Sequence, residues 1–424
     1  MNQNEQTDNH GFSNLGISPY ILQILSQLNY TTPTPIQKQA IPIALEGKDL
    51  VGIAQTGTGK TLAFGIPLIQ RLMQNKGVGL IVLPTRELAL QVEESLKRIT
   101  DKQNLRLAVL IGGVSMRPQI NALNRNPHII IATPGRLNDH LQQGTARMKN
   151  VKIVILDEAD RMLDMGFAPQ IKMIFQYVPK ERQTMLFSAT LAPEIMKMAN
   201  GLLKLPIRVE VAPAGTVADF LTQEIFIVKK EEKLRVTEKI LEQYKGPTLI
   251  FTRTKFGAKK LTRAIRMMGH SAAEIHSNRS LSQRKEALEG FKAGRHRILI
   301  ATDIASRGID VTGIELVLNF DLPSNSEDYV HRIGRTARAG VDGHAISLVG
   351  PEQRQDLRAI ERLIRKPLPI SPTPQLAPLK PITPVQPPTP PQVKQPFHHR
   401  PNNFSRRHNS FNRRQKPRQN NFPA

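Results

Sequence analysis

Apolar and polar positions alternate in blocks along the first half of the chain. Short, mainly apolar runs recur, separated by longer stretches with helical spacing such as Glu87 to Arg98. Strands that are apolar on both faces are typical of a parallel sheet covered by helices. The pattern predicts strands at Leu80 to Leu83, Ala108 to Ile111, His128 to Ala132, Val151 to Leu156 and Thr184 to Phe187.

The same pattern stops near Val209 and begins again after a short Ala-Pro-Ala-Gly-Thr segment. Strand candidates of the second block are Gln223 to Val228, Thr248 to Phe251, Ile298 to Ala301, Leu316 to Phe320 and His344 to Val349. Repeated strand and helix signals predict an α/β fold of two tandem, doubly wound parallel-sheet domains. The predicted organisation is a flexible start at 1–10, domain 1 at 11–210, a linker at 211–222 and domain 2 at 223–366.

The last segment, residues 367–424, has a different composition. It contains almost half of the chain's 32 prolines, many Lys and Arg residues, and no Asp or Glu. Such a segment cannot bury enough apolar surface to fold, so we expect a disordered tail. Its cations and its Phe residues indicate a low-specificity tether for nucleic acid, and an inert solubilising linker is the alternative.

The charge of the chain narrows the class of partner. The formal net charge is +24 and the pI is about 10.4. This excess favours nucleic acid as the partner over an acidic membrane surface. No apolar stretch is long enough to span a bilayer, and the polar start is unlike a secretory signal. The sequence has no cysteine, which fits a reducing compartment and predicts a cytoplasmic location.

A phosphate-binding loop follows the apolar run Leu50 to Ala54. Glycines let backbone N–H groups turn toward phosphate oxygens, a lysine supplies a cation, and a threonine hydroxyl can reach Mg²⁺. A Gly/Thr-rich turn that binds nothing is the alternative. The predicted nucleotide-binding residues are Ala54, Gln55, Thr56, Gly57, Thr58, Gly59, Lys60 and Thr61, with Thr61 also a metal ligand.

Acidic residues close the apolar run Val151 to Leu156. We expect Asp157 to hold Mg²⁺ and Glu158 to orient and deprotonate the attacking water. Alone, acids after a strand more simply favour the start of the next helix. Together with the phosphate loop, they predict a nucleoside triphosphatase in which Lys60, Asp157 and Glu158 are catalytic.

These segments and others in the same order resemble the DEAD-box RNA helicases over about residues 12–350. That resemblance implies two RecA-like domains that bind ATP and RNA across their cleft. Pro35-Ile36-Gln37, with Phe12 and Tyr30 nearby in the sequence, resembles the family's adenine-reading motif. The amide of Gln37 can donate and accept hydrogen bonds at once, as adenine requires.

Other segments resemble the family's RNA contacts and its coupling elements. The resemblance implies RNA contacts from strand ends and turns, although each segment alone is more often a helix cap or a turn. The implied RNA-binding residues are Pro84, Thr85, Arg86, Gly113, Thr133, Arg136 and Thr302. The implied coupling residues are Ser188, Thr190 and His331, with Asp160 as the hydrogen-bond partner of the Ser188-Ala189-Thr190 segment.

In domain 2, the resemblance assigns Asp310 to the ATP ribose and Arg335 and Arg338 to the γ-phosphate. The two arginines are three residues apart, so on a helix they share one face. A solvated basic helix face is the alternative. Four positions depart from the family pattern, none within the ATP chemistry: Asn29, Ser277 and Ala337 stand where glycine is usual, and Leu281 where glutamine is frequent.

The sequence therefore predicts an ATP-dependent RNA helicase that uses ATP and Mg²⁺ and opens short duplexes. An ATP-gated RNA clamp or annealing chaperone is the alternative. The residues alone leave RNA and DNA open, and RNA depends on the resemblance. The tail is expected to dock ribonucleoprotein or RNA-decay partners.

Overall fold

The computed structural model describes residues 11–55, 57–211, 221–303, 311, 313–337 and 342–374. These residues form two α/β lobes, lobe 1 at 11–211 and lobe 2 at 221–374. The predicted site residues Thr56, Asp310 and Arg338 lie outside the described residues, as do 212–220 of the predicted linker and the tail from 375.

Lobe 1 is built on a parallel sheet with the strand order β3-β4-β2-β5-β6-β1-β7 among its described residues. Its strands are β1 (Leu50–Ile53), β2 (Val78–Val82), β3 (Leu107–Leu110), β4 (Ile129–Ala132), β5 (Val151–Leu156), β6 (Gln183–Ser188) and β7 (Ile207–Glu210). Its helices are α1 (Pro19–Gln27), α2 (Pro35–Leu45), α3 (Lys60–Gln74), α4 (Arg86–Thr100), α5 (Met116–Asn124), α6 (Pro134–Gln142), α7 (Ala159–Asp164), α8 (Ala168–Tyr177) and α9 (Pro193–Leu202). Short 3-10 turns cover Phe12–Leu15 and Asp101–Gln103.

Lobe 2 repeats this design with the parallel strand order β10-β11-β9-β12-β13-β8 in the described part. Its strands are β8 (Leu221–Ile227), β9 (Thr248–Phe251), β10 (Ala272–Ile275), β11 (Ile298–Ala301), β12 (Leu316–Asn319) and β13 (Gly343–Val349). Its described helices are α10 (Lys233–Gln243), α11 (Lys255–Met267), α12 (Leu281–Lys292), α13 (Ser326–Ile333) and α14 (Arg354–Ile364), with a 3-10 turn at Pro351–Gln353.

The apolar runs form the cores of both lobes. Separate clusters of buried side chains cover the two faces of the lobe 1 sheet. Clusters in lobe 2 do the same. Because helices cover both faces, the carboxyl ends of the parallel strands are left open for ligands, as is usual for doubly wound sheets. The predicted fold class is confirmed.

Three strands were not predicted: β1, inside the lobe 1 sheet, and β7 and β10, which lie at sheet edges. In β10, the sequence Ala-Ala-Glu-Ile has a single β-branched residue, so its strand signal is weak. In β7, only Val209 is buried, as expected for a strand covered on one side. The edge strand β3 also alternates in burial, unlike the continuous burial expected for each strand.

The chain beyond α14 continues along the edge of lobe 2. Ile370 forms a parallel bridge with Ile225 of β8, and the Ile225 N–H donates to the Pro369 carbonyl at 2.9 Å. The start of the Pro-rich segment therefore covers the edge of the sheet. In the described part of the chain, no helix has the length and apolar character needed to cross a bilayer.

Candidate active site between the lobes

The phosphate loop joins the end of β1 to the start of α3. Gly57 and Gly59 have φ angles of 83° and 89°, a left-handed backbone that glycine adopts without strain. The buried Lys60 donates from Nζ to the Ala54 carbonyl at 2.9 Å, so its ammonium lies inside the loop. The Thr58 hydroxyl donates to the Gln55 carbonyl at 2.7 Å. The loop is therefore a cradle with a cation at its base.

Gln37 connects the start of α2 to this cradle. Its Oε1 accepts from the Thr34 N–H at 2.9 Å, and its Nε2 donates to the Gly59 carbonyl at 3.0 Å. A Cβ atom at Gly59 would lie 2.3 Å from Nε2 of Gln37. Glycine at 59 is therefore required by its backbone angle and by this close approach. Of the two aromatic residues predicted nearby, Phe12 is 5% exposed in the lobe 1 core and Tyr30 is 37% exposed.

Asp157 and Glu158 follow β5 directly and are both buried. Burial raises the pKa of Asp157 and the neighbouring Glu158 raises it further, whereas the nearby Lys60 lowers it. Glu158 has a φ of 58°, which is unusual outside glycine and asparagine, and its carboxylate pairs with Arg161 at 2.7 Å. Strained backbone of this kind is concentrated at functional sites.

Asp160 links the acidic segment to the end of β6. Its Oδ2 accepts from the backbone N–H groups of Ala189 at 2.9 Å and Thr190 at 3.1 Å. The Ala54 N–H donates to the Ser188 carbonyl at 3.0 Å, so the same segment adjoins the phosphate loop. The contact to Asp160 therefore uses backbone donors, and a change of side chain at Thr190 would leave it in place.

Lobe 2 meets this region through α13. One cavity of about 230 Å³ is lined by Gln55 and Ala189 to Ala192 of lobe 1 and by Glu327, Val330, His331 and Gly334 of lobe 2. A smaller cavity is shared by Arg161 of lobe 1 and by His331 and Arg335 of lobe 2. Arg335 is 5% exposed, so it is a buried group at the lobe boundary.

The predicted RNA contacts of lobe 1 lie together at the carboxyl ends of β2, β3 and β4. Thr85 caps α4 by accepting from the Leu88 N–H at 3.3 Å, and Thr133 precedes α6. Arg86 lies against Gly113, where a Cβ atom would overlap its guanidinium. Arg136 donates to the Val114 carbonyl at 2.9 Å. In lobe 2, Thr302 is buried at the end of β11.

Comparisons with known proteins show which family the chain belongs to. The DEAD/DEAH box helicase model matches residues 34–198, and the helicase conserved C-terminal domain matches residues 232–340. The ATP-dependent rRNA helicase RRP3 of Debaryomyces hansenii is 42% identical over 372 residues, which is 87% of this chain and 78% of the relative. The chain belongs to the DEAD-box family of ATP-dependent RNA helicases.

Further matches extend to a bacterial relative and to a solved complex. The DEAD-box ATP-dependent RNA helicase CshA of Geobacillus kaustophilus is 41% identical over 358 residues, or 84% of this chain and 77% of the relative. S. cerevisiae Dbp5 bound to RNA and ADP BeF3 has a TM-score of 0.78 at 29% identity and covers 86% of this chain and 96% of that one. These matches confirm an RNA-dependent ATPase and helicase, and the clamp or annealing alternative is not favoured.

Two buried arginines of the helicase were not predicted. Arg332 donates to both carboxylate oxygens of Asp303, at 2.6 and 2.8 Å from Nε and Nη2, and lies 5.0 Å from the ring centroid of Phe251. Arg161 is 1% exposed and pairs with Glu158. Arg332 holds the last turn of α13 in place, and Arg335 follows that helix in the chain. Arg161 orients the carboxylate of Glu158, which is predicted to act as the base. Their burial has no local signal in the sequence.

A third unpredicted contact joins the two lobes. Nη2 of Arg284, in α12, lies 3.0 Å from Oε2 of Glu87, in α4, and both side chains are largely buried. Leu281, one turn earlier in α12, packs against the core cluster of lobe 1. The position at which the family frequently has glutamine is therefore an apolar contact between lobes in this helicase.

The residues predicted to bind Mg²⁺ fit a hard cation. A buried carboxylate whose pKa is raised by burial, as at Asp157, is ionised by a neighbouring cation. Within the described ranges, no group of three or more His, Cys, Asp or Glu residues forms a complete metal site. Mg²⁺ at such NTPase sites is held by one or two protein oxygens together with water and phosphate, which the set Asp157 and Thr61 matches.

Proposed function

We propose that the helicase hydrolyses ATP in a composite site that both lobes must complete. The phosphate cradle and the acidic residues belong to lobe 1, and the buried Arg335 belongs to lobe 2. The observation that supports this most strongly is the shared cavity of Arg335 and Arg161, because Arg161 is the ion-pair partner of Glu158. A cation supplied by a second lobe is typically worth about 10³–10⁵ in phosphoryl transfer.

Within this site, each residue has a separate task. Lys60 leaves the Ala54 carbonyl and binds phosphate oxygens, and the backbone of residues 55–59 holds the remaining oxygens. Asp157 and the Thr61 hydroxyl would hold Mg²⁺, which would supply charge neutralisation at the phosphates. Glu158 accepts the proton of the attacking water, and Arg161 orients the Glu158 carboxylate. Gln37 reads adenine, Phe12 and Tyr30 flank that motif, and Asp310, Arg335 and Arg338 act from lobe 2.

RNA binding is proposed to use the carboxyl ends of the strands in both lobes. Thr85, Arg86, Gly113, Thr133 and Arg136 offer hydroxyl, N–H and guanidinium donors on lobe 1, with Pro84 setting the turn. Thr302 does so on lobe 2. Because ATP and RNA each contact both lobes, each tightens the other by linkage, typically by 1–3 kcal/mol. When the lobes are closed, they hold one RNA strand in a bent conformation that a duplex cannot adopt. Binding of that strand therefore separates a short duplex locally.

Coupling between hydrolysis and RNA is proposed to pass through Asp160. Its two hydrogen bonds from Ala189 and Thr190 hold the segment that lines the inter-lobe cavity beside His331. A change at the nucleotide that moves the acidic segment therefore shifts the surface on which α13 rests. Ser188, whose carbonyl bonds the Ala54 N–H, connects the same segment to the phosphate loop.

The test uses Glu158→Gln in the full chain. We expect ATP affinity to be retained and RNA-stimulated phosphate release to fall by at least about 10². Glu94→Gln, an exposed glutamate of α4, is the matched control and should behave as the parent. The measurements are nucleotide binding, phosphate release, and displacement of one strand from a short RNA duplex. Parental turnover by Glu158→Gln would remove this residue as the base.

The remaining assignments are broader. We infer that the tail tethers RNA without sequence preference and docks ribonucleoprotein or RNA-decay proteins. Its excess of cations and interspersed Phe residues supports the tether. The relative RRP3 is an ATP-dependent rRNA helicase, which favours ribosomal RNA as a substrate of this helicase. The absence of cysteine from the sequence supports a reducing, cytoplasmic setting.

A further inference from the structure

Lobe 1 has a large cleft at the amino-terminal ends of its strands, at the opposite end of the sheet from the phosphate loop. Its volume is about 1180 Å³, and its walls include Val78, Arg106, His128 and Asn150. These residues lie at the amino-terminal ends of β2, β3, β4 and β5, which are neighbours in the order β3-β4-β2-β5. Four adjacent strands span about 14 Å, so the cleft is long enough for several residues of an extended chain.

The cleft combines an apolar floor with a cationic rim. Leu72, Leu105, Leu123 and Ile130 contribute apolar side chains to its lining. The lining also contains Lys76, Arg106 and Arg147 and, among the described residues that form it, no Asp or Glu. The surface therefore has a single sign of charge around an apolar base, which favours a ligand that carries both carboxylates and apolar groups.

The cationic rim is partly preorganised. Nε of Arg106 donates to the Arg125 carbonyl at 2.8 Å and its Nη2 donates to the Asn126 carbonyl at 3.0 Å. The Arg106 N–H also donates to Nδ1 of His128 at 3.0 Å. The guanidinium thus has a fixed position, so a ligand carboxylate meets a charge that needs little ordering.

Carboxamides supply hydrogen-bonding capacity in the same cleft. Gln103 contributes one amide to the lining. Asn124, Asn126 and Asn150 add further amides to the lining. Amides can donate to and accept from a peptide backbone.

We propose that this cleft binds an extended segment of a partner protein in which acidic and apolar side chains alternate. An extended chain directs successive side chains to opposite sides, so one set can reach the apolar floor while the carboxylates meet the rim. The chain's own tail is a poor occupant because residues 367–424 contain no Asp or Glu. Single-stranded RNA is disfavoured because no Phe, Tyr or Trp is in the described lining to stack on bases.

The position of the cleft has a functional consequence. The phosphate loop, Asp157 and the lobe 1 RNA contacts follow the carboxyl ends of the same strands. A strand such as Val78–Val82 separates the two edges by about 17 Å. A partner bound in the cleft therefore leaves the nucleotide and RNA surfaces free, and this site recruits the helicase to an assembly without blocking turnover.

The test measures binding of fluorescein-labelled synthetic peptides to the full chain by fluorescence anisotropy. The probe is a peptide of about ten residues in which leucine alternates with aspartate. A peptide with glycine in place of leucine has equal charge and reports attraction to the basic tail alone. The variant is Lys76→Glu with Arg147→Glu, two exposed rim residues. Its matched control is Lys172→Glu with Lys180→Glu, exposed residues of the same lobe outside the cleft.

We expect the leucine-containing peptide to bind more tightly than the glycine-containing one. The rim variant should lose that advantage, with the dissociation constant rising about ten-fold or more, whereas the control variant keeps it. Both variants should retain RNA-stimulated ATPase activity, and a non-hydrolysable ATP analogue with RNA should not displace the peptide. Equal affinity for the two peptides, or an unaffected rim variant, would overturn the proposal. Loss of labelled poly(U) binding in the rim variant, without loss of peptide binding, would assign the cleft to RNA instead.

Discussion

The ion pair between Glu87 and Arg284 offers a direct measure of lobe closure. The pair is formed between lobes, at 3.0 Å, with side-chain exposures of 14% and 11%. At an effective dielectric constant of about 20, the gross attraction is about 5 kcal/mol. Desolvation of both charges cancels a large part of it. Burial indeed lowers the pKa of Arg284, with Glu87 opposing that shift. We expect a net coupling of about 1–2 kcal/mol, or about five- to thirty-fold in the closure equilibrium.

The assay is a double-mutant cycle with Glu87→Ala and Arg284→Ala. RNA affinity is measured in the presence of a non-hydrolysable ATP analogue for the parent, both single variants and the double variant. The cycle cancels the independent effect of each change, including any effect of Glu87→Ala on its neighbour Arg86. A second cycle with Glu93→Ala and Lys97→Ala is the control, because that pair lies within α4 at 2.8 Å. It should show no coupling in RNA affinity.

A coupling below about 0.3 kcal/mol would show that Glu87 and Arg284 act independently, since independent sites are additive to about that level. The ion pair would then contribute nothing measurable to the free energy of lobe closure.

The remaining predictions concern pH and the tail. Burial raises the pKa of Glu327 to about 7, from an ordinary value of 4.5. Nearby carboxylates add to this shift, in the order Asp164, Asp160, Asp328 and Glu194. The assembled lobes therefore favour the protonated form, so inter-lobe stability is highest below about pH 4.5 and falls as the pH rises through about 7. RNA affinity with the ATP analogue should decline from about pH 6 to about pH 8 in the parent and less in Glu327→Gln; an identical decline would contradict this. Deleting residues 375–424, while keeping the segment paired with β8, should flatten the salt dependence of RNA binding by roughly 0.7 log unit for each phosphate that the tail neutralises. An unchanged slope would favour an inert linker.

The sequence was sufficient to predict the parts of the fold with strong local signals. Mainly apolar runs such as Val151 to Leu156, with Lys152 as the one polar residue, identified buried strands, because strands covered on both faces are typically apolar. Weak runs at sheet edges, such as Ala272–Ile275, gave no comparable signal. Edge strands depend on their one neighbour for pairing more than on their own propensity.

Contacts between distant segments could not be predicted in the same way. The hydrogen bonds from Ala189 and Thr190 to Asp160 use backbone donors, which no side-chain pattern reveals. Arg161 and Arg332 look like ordinary charged helix residues in the sequence, and only tertiary packing buries them. The ion pair of Glu87 and Arg284 requires the relative placement of two lobes, which the order of motifs does not specify.

Two departures from the family pattern have a backbone explanation. Asn29 and Ala337 stand where glycine is usual, and their φ angles are 60° and 52°. The positions therefore require left-handed backbone, which asparagine tolerates and which costs alanine roughly 1–2 kcal/mol. The strain at Ala337 lies two residues after Arg335, which is proposed to act in the active site.

We propose that Arg335 and Arg338 of lobe 2 complete the catalytic site of lobe 1. The most direct measurement is single-turnover ATP hydrolysis by RNA-bound Arg335→Ala, Arg338→Ala protein, with nucleotide affinity measured in parallel. Arg354→Ala with Arg358→Ala, exposed arginines of α14, is the matched control. We expect ATP binding to be retained and hydrolysis to be slowed by about 10³ or more. Hydrolysis at the parental rate by the Arg335 and Arg338 variant would contradict a site shared between the lobes.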